Sequence, residues 1–205
     1  MRYINSLLSI LLLLTISGFS PKNTARMNEG IKKWVVSQNS SLSVKGSTNV
    51  NQFTCVIPDC PQQDTLKVAS GTSEQPVALT GRIRLPVSSF DCHLPAMTRQ
   101  LRETLKEKRF PALYIRFISL SKLPALNTVP ARITGLVDIE IAGATKRLEV
   151  SYQLNQDAQQ VIHLRGSRAL NFSDFDLVPP TKLGGMIKTR DELNVDFQLN
   201  INELL

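Results

Sequence analysis

The chain has 205 residues, a net charge of +7 and a mean hydropathy of −0.06. That length suits one domain around one core, and no apolar run beyond the first twenty residues is long enough to span a membrane as a helix. The positive balance favours anionic surfaces or head groups. The bases are scattered, and the interleaving of bases with exposed aromatics that marks a nucleic-acid reader is missing, so nucleic acid is not an expected partner.

Arg2 precedes an apolar run from Leu7 to Ile16, broken only by Ser9 and Thr15 and followed by Ser17, Gly18 and Ser20. A base, a short apolar stretch and small residues form the pattern of an export signal. We read residues 1–20 as a signal peptide and expect a periplasmic or secreted protein. Cleavage after Gly18 or Ala25 avoids a cut beside Pro21; an uncleaved anchor is the rival reading. Residues 21–33 are polar and read as a flexible lead-in, which leaves 34–205 as one domain.

From Trp34 the hydrophobic period becomes two. Leu42 and Val44 alternate with Ser43 and Lys45, and Ile83, Leu85 and Val87 with Arg82, Arg84 and Ser88. Two long runs, Ile133 to Ile141 and Leu148 to Leu154, alternate on either side of the Gly143-Ala144-Thr145 stretch, which predicts a hairpin. A last run alternates from Leu193 to Ile201. Strict alternation gives each strand one buried and one wet face, the habit of antiparallel sheets. The phase slips between Val44 and Phe53 and between Val87 and Phe90, which predicts bulges or bends of the kind that curl a sheet closed. The stretches Pro58 to Pro76 and Val178 to Asp191 read as a loop and as an ordered connection.

One helix interrupts the strands. After Pro95, the residues Met97, Leu101 and Leu105 recur every fourth position, and Pro111 ends the pattern. Arg99, Arg102, Lys106 and Arg109 form a basic stripe beside the apolar one. The stripe is either a rim facing an anionic head group or membrane surface, or an ordinary solvated face.

Catalytic patterns are missing. There is no Gly-x-Ser-x-Gly elbow and no phosphate-binding loop. His93 and His163 lack an adjacent partner in sequence, and Asp174 and Asp176 sit between Phe172 and Phe175 as polar residues beside an apolar wall. Cys92-His93 alone does not make a metal site. We therefore expect no enzyme activity, no metal and no cofactor. Among the three cysteines, Cys55 and Cys92 stand in similar contexts, Phe53-Thr54-Cys55 and Phe90-Asp91-Cys92. They are the candidate disulfide, with Cys60 left free. A Cys55–Cys60 link and three unpaired thiols are the alternatives.

Several stretches together resemble the YceI-like family of exported bacterial proteins. They are Trp34-Val35-Val36 with Ser41 to Val50, Phe110-Pro111 leading to Phe117, Ile133-Thr134-Gly135-Leu136 through Ala142-Gly143-Ala144-Thr145-Lys146, and Leu170-Asn171-Phe172-Ser173-Asp174-Phe175 ahead of a last strand near Asp191. The resemblance spans residues 34–203. It departs at Phe53-Thr54-Cys55, where the family often has glycine, and at Cys55 to Pro76, which looks like an insertion. The resemblance implies an all-β fold, an antiparallel lipocalin-like barrel of about eight strands with one amphipathic helix. It also implies a long apolar ligand of the polyisoprenoid type, held without catalysis for transport or storage. A barrel filled by its own side chains, acting as an interaction or stress module, is the alternative. On the carrier reading the wall includes Val44, Leu85, Val87, Met97, Leu101, Leu105, Ile115, Phe117, Val137, Ile139, Phe172 and Phe197, and the basic stripe makes transient contact with an anionic membrane.

Overall fold

A computed structural model describes residues 30–60, 62–69 and 75–204. The expected signal peptide and most of the lead-in lie outside the described residues, and the first strand begins at Lys32. In chain order the elements are β1 (Lys32–Val36), β2 (Ser41–Thr48), β3 (Gln52–Ile57), β4 (Thr65–Val68), β5 (Val77–Pro86), α1 (Pro95–Thr104), β6 (Ala112–Leu120), β7 (Ala131–Ile141), β8 (Ala144–Gln156), β9 (Ile162–Asn171), β10 (Thr181–Lys182) and β11 (Ile187–Leu204).

All pairings are antiparallel. The order β1-β4-β5-β6-β7-β8-β9-β11 closes on itself because β1 also pairs β11, with Trp34 opposite Glu203 and Val36 opposite Ile201. The result is an eight-stranded barrel. β11 is long enough to serve two neighbours along one edge, β1 at its C-terminal end and β2 further up, while β9 runs along the other edge. The β2–β3 hairpin thus continues the wall above β1 and β4, and β3 does not rejoin β5. The gap is bridged by the Cys55–Cys92 disulfide and an isolated pairing of Val56 with Asp91.

The structure corrects several readings. The stretch from Pro58 to Pro76 is not all loop: it contains β4, whose Leu66 and Val68 point into the core while Thr65 and Lys67 face water. That short strand completes the ring. Neither phase slip is a bulge. The first is a turn over residues 48–51, held by the Thr48 amide donating to the Asn51 carbonyl at 2.7 Å. The second is a 3₁₀ turn at Val87–Ser89 that ends β5. True register shifts occur between Ala78 and Gly81, between Phe117 and Ser119, and between Thr189 and Leu193. The β7–β8 hairpin turns on Ala142 and Gly143, both at positive φ as a two-residue hairpin of right-handed twist requires, so Ala144 and Thr145 already belong to β8. The last strand starts at Ile187, earlier than Asp191.

The barrel has two unlike ends. Trp34, Val36, Leu66, Leu79, Leu120, Leu154, Ile162, Leu164 and Ile201 are almost wholly buried and fill the end closed by β1 and β4. The other end is covered by α1. Pro95 occupies the first helical turn, where its missing N–H leaves nothing unsatisfied. The amphipathic stripe turns Leu101 and Leu105 onto the barrel, with Leu105 buried.

Candidate functional site

Two adjoining cavities occupy the barrel under α1, with open space of about 50 and about 90 Å³. They share Leu42, Leu85, Ile115, Ile139, Leu170 and Val195 as wall. The inner one adds Phe117, Val137 and Phe197; the outer one adds Val44, Leu101, Leu105 and Phe172. The wall is aliphatic and aromatic except for Ser41, Cys60, Arg168 and Asn171. Several inward side chains in the middle of strands, namely Val44, Ile115, Ile139, Val195 and Phe197, are only partly buried although they pack on the core. Such positions are fully buried when a barrel is packed solid. This half is hollow.

Two expected wall residues lie elsewhere. Val87 is core in the 3₁₀ turn and lines neither cavity. Met97 faces a cleft of about 250 Å³ between α1, the β2–β3 turn and the β10–β11 hairpin. That cleft shares Leu101 and Phe172 with the outer cavity and so leads into it. Sequence reasoning missed Leu170, Leu193 and Val195, although all three follow the inward phase of β9 and β11.

Aromatic size is accommodated by glycine. Gly166 of β9 lies directly between Tyr152 of β8 and Phe197 of β11. The Phe197 ring covers it and meets Tyr152 edge-on, with ring centroids 5.8 Å apart. Gly46 and Phe53 repeat the arrangement on the β2–β3 hairpin.

The basic stripe is divided by its contacts. Arg102 donates to the carbonyls of Ser88 and Phe90, which fastens α1 to the end of β5. Arg109 stacks over the Phe110 ring at 5.1 Å. Arg99 of α1 and Lys106 just past its end have no side-chain partner among the described residues, and Glu103 and Glu107 stand near them.

His163 and Asp174, two of the groups considered for chemistry, have structural partners. His163 sits 2.9 Å from an Asp157 carboxylate oxygen and 2.7 Å from Asn200 Oδ1, in a network that fixes the 157–161 turn to β11. Its hydrogen bond holds the Asp157 carboxyl below its usual range. Asp174 accepts the Asn171 amide as part of a capping box around the 3₁₀ turn Phe172–Phe175. On the outer face of β6, β7 and β8, Asp138 accepts hydrogen bonds from Arg147 and Arg116, which bring its carboxyl down to about 2. Cys60 is free and buried; burial, with Asp64 and Asp59 nearby, pushes its thiol up to about 11. No cluster of three or more metal-ligating side chains occurs among the described residues. An open depression of about 1140 Å³ runs across strands β2, β3, β7, β8, β9 and β11, but Ser43, Thr134, Ser151, Ser167 and Gln153 line it, and it offers no enclosure.

Several solved structures share this fold. Burkholderia cenocepacia BcnA superposes with a TM-score of 0.59 at 16% identity, over 80% of this chain and 96% of that one. A polyisoprenoid-binding domain from Saccharophagus degradans, implicated in plant cell wall breakdown, gives 0.59 at 9% identity, over 82% and 97%. A mutant of the Campylobacter jejuni YceI protein gives 0.52 at 11% identity, over 69% and 81%. This chain has the YceI-like fold. At these identities the likeness carries the fold alone. No family model matches the sequence, and no curated protein matches it. Within the YceI-like barrel, the site with the properties of a ligand pocket is the apolar interior below α1, because it is enclosed, concave and apolar with few polar groups.

Proposed function

We propose that the chain is an exported, non-catalytic binding protein whose barrel takes a long apolar lipid of the polyisoprenoid type, for transport or storage. The observation that carries this reading is the hollow half of the barrel, where Val44, Ile115, Ile139, Val195 and Phe197 face inward without being fully buried. A bound hydrocarbon chain would remove that surface from water at about 25 cal/mol per Å². The open space is far below the roughly 300 Å³ at the lower end of ligand pockets, so the chain enters by displacing side chains, Phe197 first. The polyisoprenoid-binding neighbour supports the choice of ligand class. The Cys55–Cys92 disulfide supports export to an oxidising compartment.

The cleft beside Met97 is the entrance this reading favours. Around it stand the exposed apolar side chains Val50, Leu94, Leu183 and Met186, with Lys182 and Lys188 close by. The Asn49 side chain donates to the Met186 carbonyl at 2.9 Å, which brings the two turns together. Apolar tips beside bases fit a brief contact with an anionic bilayer.

The small open volume favours one rival, a filled barrel acting through its surface. Organic extraction of the purified protein followed by mass spectrometry, with fluorescence titration of a polyene lipid probe, separates the two. A co-purifying isoprenoid or saturable probe binding is expected. An empty protein that takes up no probe would leave the filled-barrel reading standing.

A further inference from the structure

We propose that the window between β8 and β9 is a head-group site in which Arg168 holds the oxyanion head, carboxylate or phosphate, of an amphiphile whose tail lies in the barrel. The inference rests on the lipid-binding reading and specifies its ligand class.

Arg168 occupies an inward position. It pairs with Val195 of β11, and its neighbours in the same phase of β9, Gly166 and Leu170, both face the interior. A charge in such a row is costly unless it is paired or reaches water. Arg168 reaches water because the barrel wall is interrupted there. The β8–β9 ladder ends at the pair Ser151–Ser167. Beyond it β8 extends back to Ala144 and β9 forward to Asn171 without pairing to each other, each still bonded to its other neighbour. Above the window, the turn Phe172–Phe175 packs against β8. The window is therefore framed below by a strand pair and above by that turn, with Val150 facing Arg168 across it.

The side chain lines the inner cavity together with Val150, Leu170 and Val195, yet the residue is exposed. That combination is the snorkelling habit of arginine: the methylene stem covers apolar surface and the charged head stays wet. Among the described residues, Arg168 is the only charged one that lines either cavity. It has no hydrogen-bond or ion-pair partner among the described residues. By contrast, Arg116 and Arg147 are held by Asp138, and Lys45 by Asp196. An unpaired guanidinium over an apolar cavity presents a planar donor fork that matches a carboxylate or phosphate. A wholly neutral ligand makes no use of it.

The test compares cis-parinaric acid with its methyl ester, which share one tail and differ in head charge, by fluorescence titration of the purified full-chain protein and its Arg168→Gln variant. The wild-type protein should bind the acid more tightly than the ester. Arg168→Gln should weaken the acid about tenfold, as expected for one charge-assisted contact, while the ester changes less than about twofold by the same scale. Arg168→Lys should recover part of the loss. Dodecyl phosphate should displace the acid at concentrations where inorganic phosphate does not, because the tail anchors the head. Equal weakening of acid and ester, or none, would overturn the head-group site while leaving lipid binding intact. Equal competition by inorganic phosphate would reduce the site to one for a free anion and overturn it as well. Failure of both probes to bind the wild type would sink the lipid-binding reading itself.

Discussion

The ring of Phe197 lies so close over Gly166 that a Cβ on the glycine would fall 2.3 Å from the ring's Cζ atom. The two residues are direct cross-strand partners; both border the open depression, and Phe197 also lines the inner cavity. Gly166→Val therefore has to push the ring into the open space. We expect a loss of stability of about 1–3 kcal/mol from overpacking, together with weaker probe binding. Phe197→Ala should also lower stability, by roughly 2–4 kcal/mol, yet bind the probe at least as well as the wild type. Urea denaturation and probe titration on both variants check this. Parallel losses of binding in the two would contradict the displacement of Phe197 by ligand.

Acid stability should depend on Asp138. The Arg147 and Arg116 hydrogen bonds lower its carboxyl to about 2 in the folded protein. The contribution is present above the ordinary carboxylate range and disappears as pH falls through about 2. Asp138→Asn should cost roughly 1 kcal/mol at neutral pH and flatten the loss of stability between about pH 4 and 2. Asp64 acts with the opposite sign, since burial raises its carboxyl and its contribution fades as pH rises. Unfolding midpoints measured across that range would expose a wild-type slope in the variant, which would rule out Asp138 as its source.

Reducing or removing the disulfide should loosen one side of the barrel more than the rest. It joins residues 37 apart in sequence, for which loop closure is worth about 2–4 kcal/mol, and it ties β3 to the segment that leads into α1. Cys55→Ser with Cys92→Ser should lose that stability and increase hydrogen exchange in α1 before the β7–β8 hairpin. Cys60, buried and with its thiol pushed up to about 11, should resist iodoacetamide until the protein unfolds. Rapid labelling of Cys60 in the native state, followed by intact mass, would contradict its burial.

The bases of α1 and of the turn that follows it should separate into two classes. Arg102→Gln should cost about 1 kcal/mol of stability, because two carbonyl contacts are lost. Arg99→Gln with Lys106→Gln should leave stability unchanged and slow lipid transfer from anionic vesicles, less so at high salt. Leu101→Asp should abolish retention of the probe, since Leu101 lines both the cavity and the cleft. Wild-type transfer rates in the Arg99/Lys106 variant at low salt would make that face ordinary solvated surface.

Much of the barrel is legible in the sequence because its strands have one wet face. The β7–β8 hairpin is the clearest case: Ile133, Val137, Val150 and Tyr152 alternate with polar residues over two long runs. β4 was hidden because it offers only Leu66 and Val68 in a polar stretch, and its role comes from pairing with β1 and β5, which no local pattern encodes. Arg168 left a signal that alternation alone does not decode. It stands in phase with Ile162, Leu164 and Leu170, a charge where the pattern calls for an apolar side chain. Only the end of the β8–β9 ladder explains how that position can be charged. Arg102 and Arg99 look alike in sequence, because the carbonyls that engage Arg102 belong to a turn ahead of the helix.

The reach of β11 also bears on how the molecule is made. The ring depends on its pairing with both β1 and β9, and the β2–β3 hairpin hangs on it as well. The segments preceding Ile187 can form hairpins but cannot close. Closure joins Trp34 to Glu203 across nearly the whole described chain, and contacts of such sequence separation form slowly because their loop entropy must be overcome first. A nascent chain therefore stays open until its last strand is available, and truncation ahead of Ile187 should leave hairpins without a barrel.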